Sequence, residues 1–231
     1  MKTLSLLLIA SLSLGMLACG EEETTAPQPQ VGLSFNTVTA AAPVNGRTAS
    51  TNSLSFSSGT ITLSEIQFEA ESDVDSLEVD FELEQDVQVD FATGATSPDI
   101  SAVAFRPGTY EEIEVEMELQ DKGSQPAIVL SGTFTDALGQ AHPLRFEFNS
   151  GEEFEVEREG AVTFDEGQSV VAQVTFNPVA WFAGVSSEEL LTATKNAQGV
   201  IVISSTQNTD IFEEVADGLE LATEVEIEEE D

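Results

Sequence analysis

The side chains in this chain that can do chemistry are of few kinds. Acids dominate: 43 Asp and Glu stand against 7 Lys and Arg, for a net charge of −36, with one histidine, one cysteine, one tryptophan and one tyrosine. Paired carboxylates can serve as general acid and general base, provided that one of them sits in a cleft with a raised pKa. No spacing in the sequence marks such a residue. Oxygen-rich clusters can instead hold calcium, which takes six to eight oxygen ligands. Glu71, Asp73 and Asp75 fall together at a predicted turn and are the weak calcium candidates, although the full Asp-x-Asp-x-Asp-Gly loop is absent. Trp181 is a weak candidate for stacking on a sugar ring. Its neighbour Phe182 favours a plug in the core, between the main domain and the C-terminal helices.

Other reaction classes lack their groups. A Ser-His-Asp arrangement would have to use His142, which precedes Pro143 at the start of a predicted strand and reads as a surface or loop residue. No Gly-x-Ser-x-Gly precedes a helix. A zinc site lacks histidine and cysteine ligands, and a glycine-rich phosphate loop is missing. No catalytic residue is assigned and no enzyme activity is expected; the only cofactor left open is calcium. Nucleic-acid binding needs a basic footprint, and the charge balance excludes it. The same balance disfavours electrostatic adhesion to anionic lipid.

Cys19 is the one thiol, and its position is informative. Lys2 supplies a positive start, Leu4 to Leu14 is apolar or small, and Gly15-Met16-Leu17-Ala18 leads into the cysteine. The stretch from Leu4 to Ala18 is too short for a spanning helix, which needs about 20 residues. It reads as an export signal, residues 1–18, that is removed. Met16-Leu17-Ala18-Cys19 resembles the lipobox of bacterial lipoproteins, departing from the usual residues at Met16 and Leu17. The resemblance implies diacylglycerol and palmitate on Cys19 and a membrane anchor. Gly20 stands where many inner-membrane lipoproteins carry Asp. Glu21-Glu22-Glu23 resembles the acidic tag of surface lipoproteins of the Bacteroidota, which implies the outer membrane and surface exposure. Residues 19–30 form a polar, proline-containing tether with no bulky apolar residue after Cys19.

From Val31 the apolar residues recur with a period of two. Leu54 and Phe56, Ile61 to Phe68, Leu77 to Glu84, Val87 to Phe91, Ile113 to Leu119, Ile128 to Phe134, Leu144 to Phe148, Phe154 to Val156 and Val170 to Phe176 are predicted strands. Turn signals separate them, including Ser58-Gly59, Pro107-Gly108 and Asn149-Ser150-Gly151. The three-residue step from Leu63 to Ile66 predicts a bulge near Ser64-Glu65. Roughly nine short strands predict an all-β fold, an antiparallel two-sheet sandwich of immunoglobulin- or transthyretin-like kind over 31–183. A closed barrel is the alternative, and acids at the outward positions argue against a lipid-facing one. Residues 184–231 read as a short α/β extension. Ser186 caps one helix, Val200–Ile203 is a strand, Asn208 leads a second helix, and the acidic tail from Glu224 is expected to fray.

The segments Gly59-Thr60-Ile61-Thr62-Leu63-Ser64-Glu65-Ile66-Gln67-Phe68, Pro107-Gly108-Thr109-Tyr110 and Asn177-Pro178-Val179-Ala180-Trp181-Phe182 resemble, in that order, an uncharacterised family of Bacteroidota β-sandwich lipoproteins. The likeness spans residues 31 to 220. It implies a lipid-anchored sandwich and carries no site residues. The expected role is a non-enzymatic binding or structural module of the cell envelope with a protein or glycan partner. A glycan- or calcium-binding lipoprotein is the alternative, and an enzyme using paired carboxylates is the third class.

One physical problem is legible already. Glu78, Asp80, Glu82 and Glu84 leave one face of a strand, as do Glu112, Glu114, Glu116 and Glu118. Pairing of these strands would set like charges opposite each other. Stability is then expected to rise with salt or divalent cations, because salt shortens the range of the repulsion. The anchor has its own test. Radiolabelled palmitate is expected to enter the parent protein and to be absent from Cys19→Ala; equal labelling of both would remove the anchor.

Overall fold

A computed structural model describes residues 28, 30–44, 52–100, 103–104, 106–219 and 223–229. The export signal, Cys19 and most of the tether lie outside the described residues. The chain runs through β1 (Gln30–Thr37), β2 (Ala42–Pro43), β3 (Ser53–Glu71), β4 (Val79–Leu83), β5 (Val87–Asp90), β6 (Thr96–Ser97), β7 (Val103–Ala104) and β8 (Gly108–Leu119). It continues through β9 (Ile128–Thr135), β10 (Ala141–Phe148), β11 (Glu153–Phe164) and β12 (Ser169–Phe176). It ends with α1 (Pro178–Trp181), α2 (Ser187–Thr192), β13 (Ile201–Ile203), α3 (Thr209–Leu219) and β14 (Thr223–Glu229). No helix among the described residues is long and apolar enough to cross a membrane.

The fold is mostly β, with two open sheets. The larger has the order β11-β8-β3-β9-β10-β13, with β2, β4 and β5 also on β3 and β6 on β5. The smaller has the order β14-β12-β1-β7. The expectation of purely antiparallel pairing is corrected: β1 lies parallel to β12, and β10 lies parallel to β13. Parallel neighbours need a long connection rather than a hairpin. The chain between β1 and β12 provides one, and the segment carrying β11, β12, α1 and α2 provides the other.

The 19-residue β3 organises the larger sheet. Its first half pairs with β9 and its second half with β8. The side chains facing the core change parity twice along it. Leu54 and Phe56 are buried, then Ile61 and Leu63, then Ile66, Phe68 and Ala70. Register shifts between Phe56 and Ser58 and between Leu63 and Glu65 cause the two changes. The second is the expected bulge at Ser64, whose hydroxyl donates to the Glu118 carbonyl at 3.5 Å. The expected turn at Ser58-Gly59 is corrected to a strand interior. Gly59 has φ +151°, and a Cβ there would lie 2.0 Å from the Val129 carbonyl oxygen. Glycine lets β3 pass close to β9 while it changes face.

One core serves both sheets and the C-terminal segment. Phe154 of the larger sheet meets Phe176 of the smaller edge-on, with ring centroids 6.0 Å apart. Trp181 lies 6.5 Å from both Phe146 and Phe176, and Phe182 packs on Phe56 and Phe146. α3 comes down on α1 at Gly218, where a Cβ would sit 2.3 Å from the Trp181 carbonyl oxygen. Ile211, Val215 and Leu219 form its buried stripe, as the spacing predicts. Tyr110 is fully buried, and its hydroxyl donates to the Arg106 carbonyl at 2.8 Å.

Ser186 caps α2 as expected, and the cap is reciprocal. Its hydroxyl accepts from the Glu189 N–H at 3.2 Å, and its own N–H donates to the Glu189 carboxylate at 2.8 Å. Asn208 leads α3 as expected, its carbonyl accepting from the Phe212 N–H at 3.0 Å, while its side chain bonds elsewhere. Its amide group accepts from the Thr194 N–H at 2.8 Å and donates to the Thr194 carbonyl at 2.9 Å. The expected fraying of the tail is corrected over residues 223–229, which pair antiparallel with β12. Val225 and Ile227 alternate with acids there, the period of two that marks a strand.

Gly59→Ala is expected to destabilise the protein by about 1–3 kcal/mol from backbone strain alone, with the overlap on Val129 adding to it. Urea unfolding measures this. A variant as stable as the parent would mean that β3 does not approach β9 at this point.

Candidate functional site

The pleat that buries Ile66, Phe68, Ile113, Val115 and Met117 turns the intervening residues to the opposite face. On β8 these are Glu112, Glu114, Glu116 and Glu118. β11 supplies partners across one flank: Glu159, Glu157, Glu155 and Glu153 stand directly opposite. β3 supplies the other flank with Glu71, Glu69, Gln67 and Glu65. Beyond β3, Asp80 of β4 stands opposite Glu69, and Glu82 opposite Gln67. β4 and β8 do not pair with each other, because β3 lies between them. The outcome is a carboxylate array four strands wide, interrupted by Gln67. Neighbouring strands lie about 4.8 Å apart and alternate residues about 6.8 Å apart along a strand.

No Lys or Arg among the described residues forms an ion pair with a carboxylate of the array. Among the described residues, the only Lys or Arg within 4.0 Å of a carboxylate is Arg145, paired with Glu147 on β10. Protonation is the remaining internal relief, and the pKa shifts follow it. Glu112, Glu114 and Glu116 are raised, first by partial desolvation and then by the acids on the flanking strands. For Glu114 these are Glu155 and Glu69; for Glu116 they begin with Glu153 and Glu155. Glu82 is raised chiefly by Glu84, with burial and Glu65 adding to it.

The tightest part of the array is the corner formed by Glu65, Glu82 and Glu84. One carboxylate oxygen from each lies within 4.8 Å of the others. Gln67 donates its amide N–H to Glu65 and holds that side chain in place. Three carboxylates can offer several of the oxygens that calcium requires. The sequence candidates are placed otherwise. Glu71 ends β3 opposite Glu112, while Asp73 and Asp75 occupy an exposed turn. Among the described residues these three do not converge to within 4.8 Å.

Two further readings change with the structure. Trp181 is fully buried, so the glycan-stacking candidate is corrected to a core residue; a ring sealed by Phe146 and Phe176 cannot meet a sugar. His142 is also inside, 7% exposed, which corrects its expected place on a surface or loop. Its Nε2 lies 3.1 Å from Asp136 Oδ2 and its Nδ1 lies 2.9 Å from Lys195 Nζ. The hydrogen bonds made to Asp136, first from the Gln140 N–H and then from His142, hold its pKa below the ordinary range. Apart from these polar groups, an apolar recess of about 340 Å³ lies between residues 38–44 and α1. No titratable side chain lines it.

No family model, curated protein or solved structure matches this chain. The site therefore rests on its own geometry. Sequence reading found the acids of β4 and β8 and missed those of β3 and β11. A signal was present in both: Glu65-x-Gln67-x-Glu69-x-Glu71 and Glu153-x-Glu155-x-Glu157-x-Glu159 carry the same alternation. His142, Asp136 and Lys195 had none, because nothing local joins residue 142 to residue 195.

The shifts fix a pH dependence. For Glu112, Glu114 and Glu116 the folded state keeps the proton to higher pH than the unfolded chain does. The stability they contribute is therefore fully present below the ordinary carboxylate range and is lost as pH rises through their raised values. Asp136 and Glu189 are lowered, so their contribution is present above the ordinary range and lost as pH falls through the lowered values. Thermal unfolding at constant ionic strength is expected to give a higher Tm near about pH 5 than near about pH 7.5. Replacing both Glu114 and Glu116 by Gln is expected to raise Tm at the higher pH and to flatten the slope. A parent Tm that climbs steadily toward neutrality would contradict this.

Proposed function

We propose that this chain is a lipid-anchored, non-enzymatic β-sandwich module of the cell envelope that binds multivalent cations, calcium foremost, on its acidic face. The observation that carries the reading is the register of β11, β8, β3 and β4. It lines up carboxylates in rows with no basic partner among the described residues. A divalent ion bridging two strands removes a repulsion that the fold cannot remove by slipping, since a one-residue slip would expose the core. Cations would thus act both as ligands and as part of the sheet's stability.

The remaining parts of the reading rest on sequence. The apolar run ending at Cys19, the likeness of Met16-Leu17-Ala18-Cys19 to a lipobox and the acidic Glu21-Glu22-Glu23 favour export, lipidation and the outer membrane. The likeness to Bacteroidota β-sandwich lipoproteins favours a sandwich of immunoglobulin- or transthyretin-like kind, with the two sheets facing each other across Phe154 and Phe176. Such a module could present bound calcium to an anionic glycan or protein.

Calcium chloride is expected to raise Tm beyond sodium chloride at the same ionic strength, and titration calorimetry is expected to detect several weak sites. The double replacement Glu114→Gln and Glu116→Gln should remove most of the calcium-specific gain, and Glu82→Gln should weaken the corner of the array. Equal Tm values in the two salts would reduce the face to simple charge screening and overturn the proposal.

A further inference from the structure

We propose that His142 is a pH-sensitive clasp, fastening the C-terminal segment to the β9–β10 hairpin through Lys195 when its imidazole is neutral. His142 lies opposite Phe134 in the β9–β10 ladder and stacks on that ring, with centroids 5.8 Å apart. Its two nitrogens face charges of opposite sign. Asp136 is on one side and Lys195 on the other.

The hydrogen bonds fix the tautomer. A lysine ammonium only donates, so Nδ1 must accept from Lys195. Nε2 then carries the ring proton and donates to Asp136. Asp136 cannot adjust, because its other oxygen accepts from the N–H groups of Leu138 at 2.8 Å and Gln140 at 2.9 Å. A second proton on the imidazole has one place to go, which is Nδ1. There it replaces an acceptor with a donor and sets imidazolium against ammonium. The buried ring cannot leave, but the Lys195 side chain belongs to an exposed residue and can.

Lys195 is well placed to transmit that release. Its backbone bridges Ile201 at the start of β13. The adjoining Thr194 is tied by both backbone groups to Asn208, and Asn208 also donates to the Val202 carbonyl at 2.6 Å. The choice of partner is itself informative. In a chain with 43 acids, no carboxylate among the described residues lies within 4.0 Å of Lys195 Nζ. Asp136 and Lys195 are the charged groups hydrogen-bonded to His142 among the described residues. Phe134 faces it from β9. Arg145 and Glu147 leave the other face of β10 and pair with each other. On the helices, Glu214 interacts with Glu189, Asp210 and Asp217.

One histidine in the chain makes the test direct. Ring nitrogen NMR at about pH 8, where an ordinary imidazole is neutral, is expected to show the proton on Nε2. On acidification to about pH 5, amide-exchange protection over residues 194–208, corrected for intrinsic rates, is expected to fall by about ten-fold relative to β9. Lys195→Met should show the low protection at both pH values and lose the dependence. His142→Phe should also be independent of pH; should it fail to fold, Lys195→Met carries the test alone. A proton on Nδ1 at the higher pH would overturn the clasp, as would unchanged protection in the parent or an equal fall in Lys195→Met.

Discussion

The structure depends on the pleat of three long neighbouring strands, β3, β8 and β11, held in one antiparallel register where residues 65–71, 112–118 and 153–159 meet. That register does two opposed things at once. It lines up Phe68, Val115, Met117 and Phe154 on the core side, and it lines up glutamates across the strands on the other. The favourable term is apolar burial, about 1.5–3 kcal/mol for each large side chain fully removed from water. The unfavourable term is repulsion between acids that the backbone ladder will not let separate. The core side wins because a slip of one residue would reverse every side chain, and the charges are held where the core puts them.

A strand as long as β3 cannot serve two partners without adjustment. β9 takes its first half and β8 its second, and the twist of the sheet must be taken up between them. The register shifts at Ser57 and Ser64 do this by moving the inward parity from even to odd and back. Gly59 stands at the closest approach, where the β9 backbone leaves no room for a Cβ. The same device that bends the sheet therefore sets which acids of β3 face the array. With one bulge fewer, Glu65 and Glu69 would point into the core.

The C-terminal segment is joined to this scaffold by two kinds of contact. Aromatic packing around Trp181, Phe182 and Phe212 joins α1 and α3 to β10 and β12, and β13 extends the larger sheet. These contacts are insensitive to pH. The polar contacts of Asp136, His142, Lys195 and Asn208 lie beside them and are directional. The segment's anchorage thus combines a fixed component with one governed by the imidazole's proton.

The sequence by itself determined what depends on near neighbours. The period of two in β4 and β8, the bulge at Ser64, the cap at Ser186 and the apolar stripe of α3 are local patterns, and each is read within a few residues. The same is true of the net charge and of the apolar run ending at Cys19. Only the tertiary structure decided which strands meet. It placed β3 between β4 and β8, made two pairings parallel, and set Glu118 between Glu65 and Glu153. It buried His142 through partners on either side of it in the chain, one of them 53 residues away. The physical reason is common to all of these. Pleat and helix periods are properties of the backbone at short range, whereas strand pairing and the burial of a polar ring are fixed by whichever distant segments supply the matching hydrogen bonds.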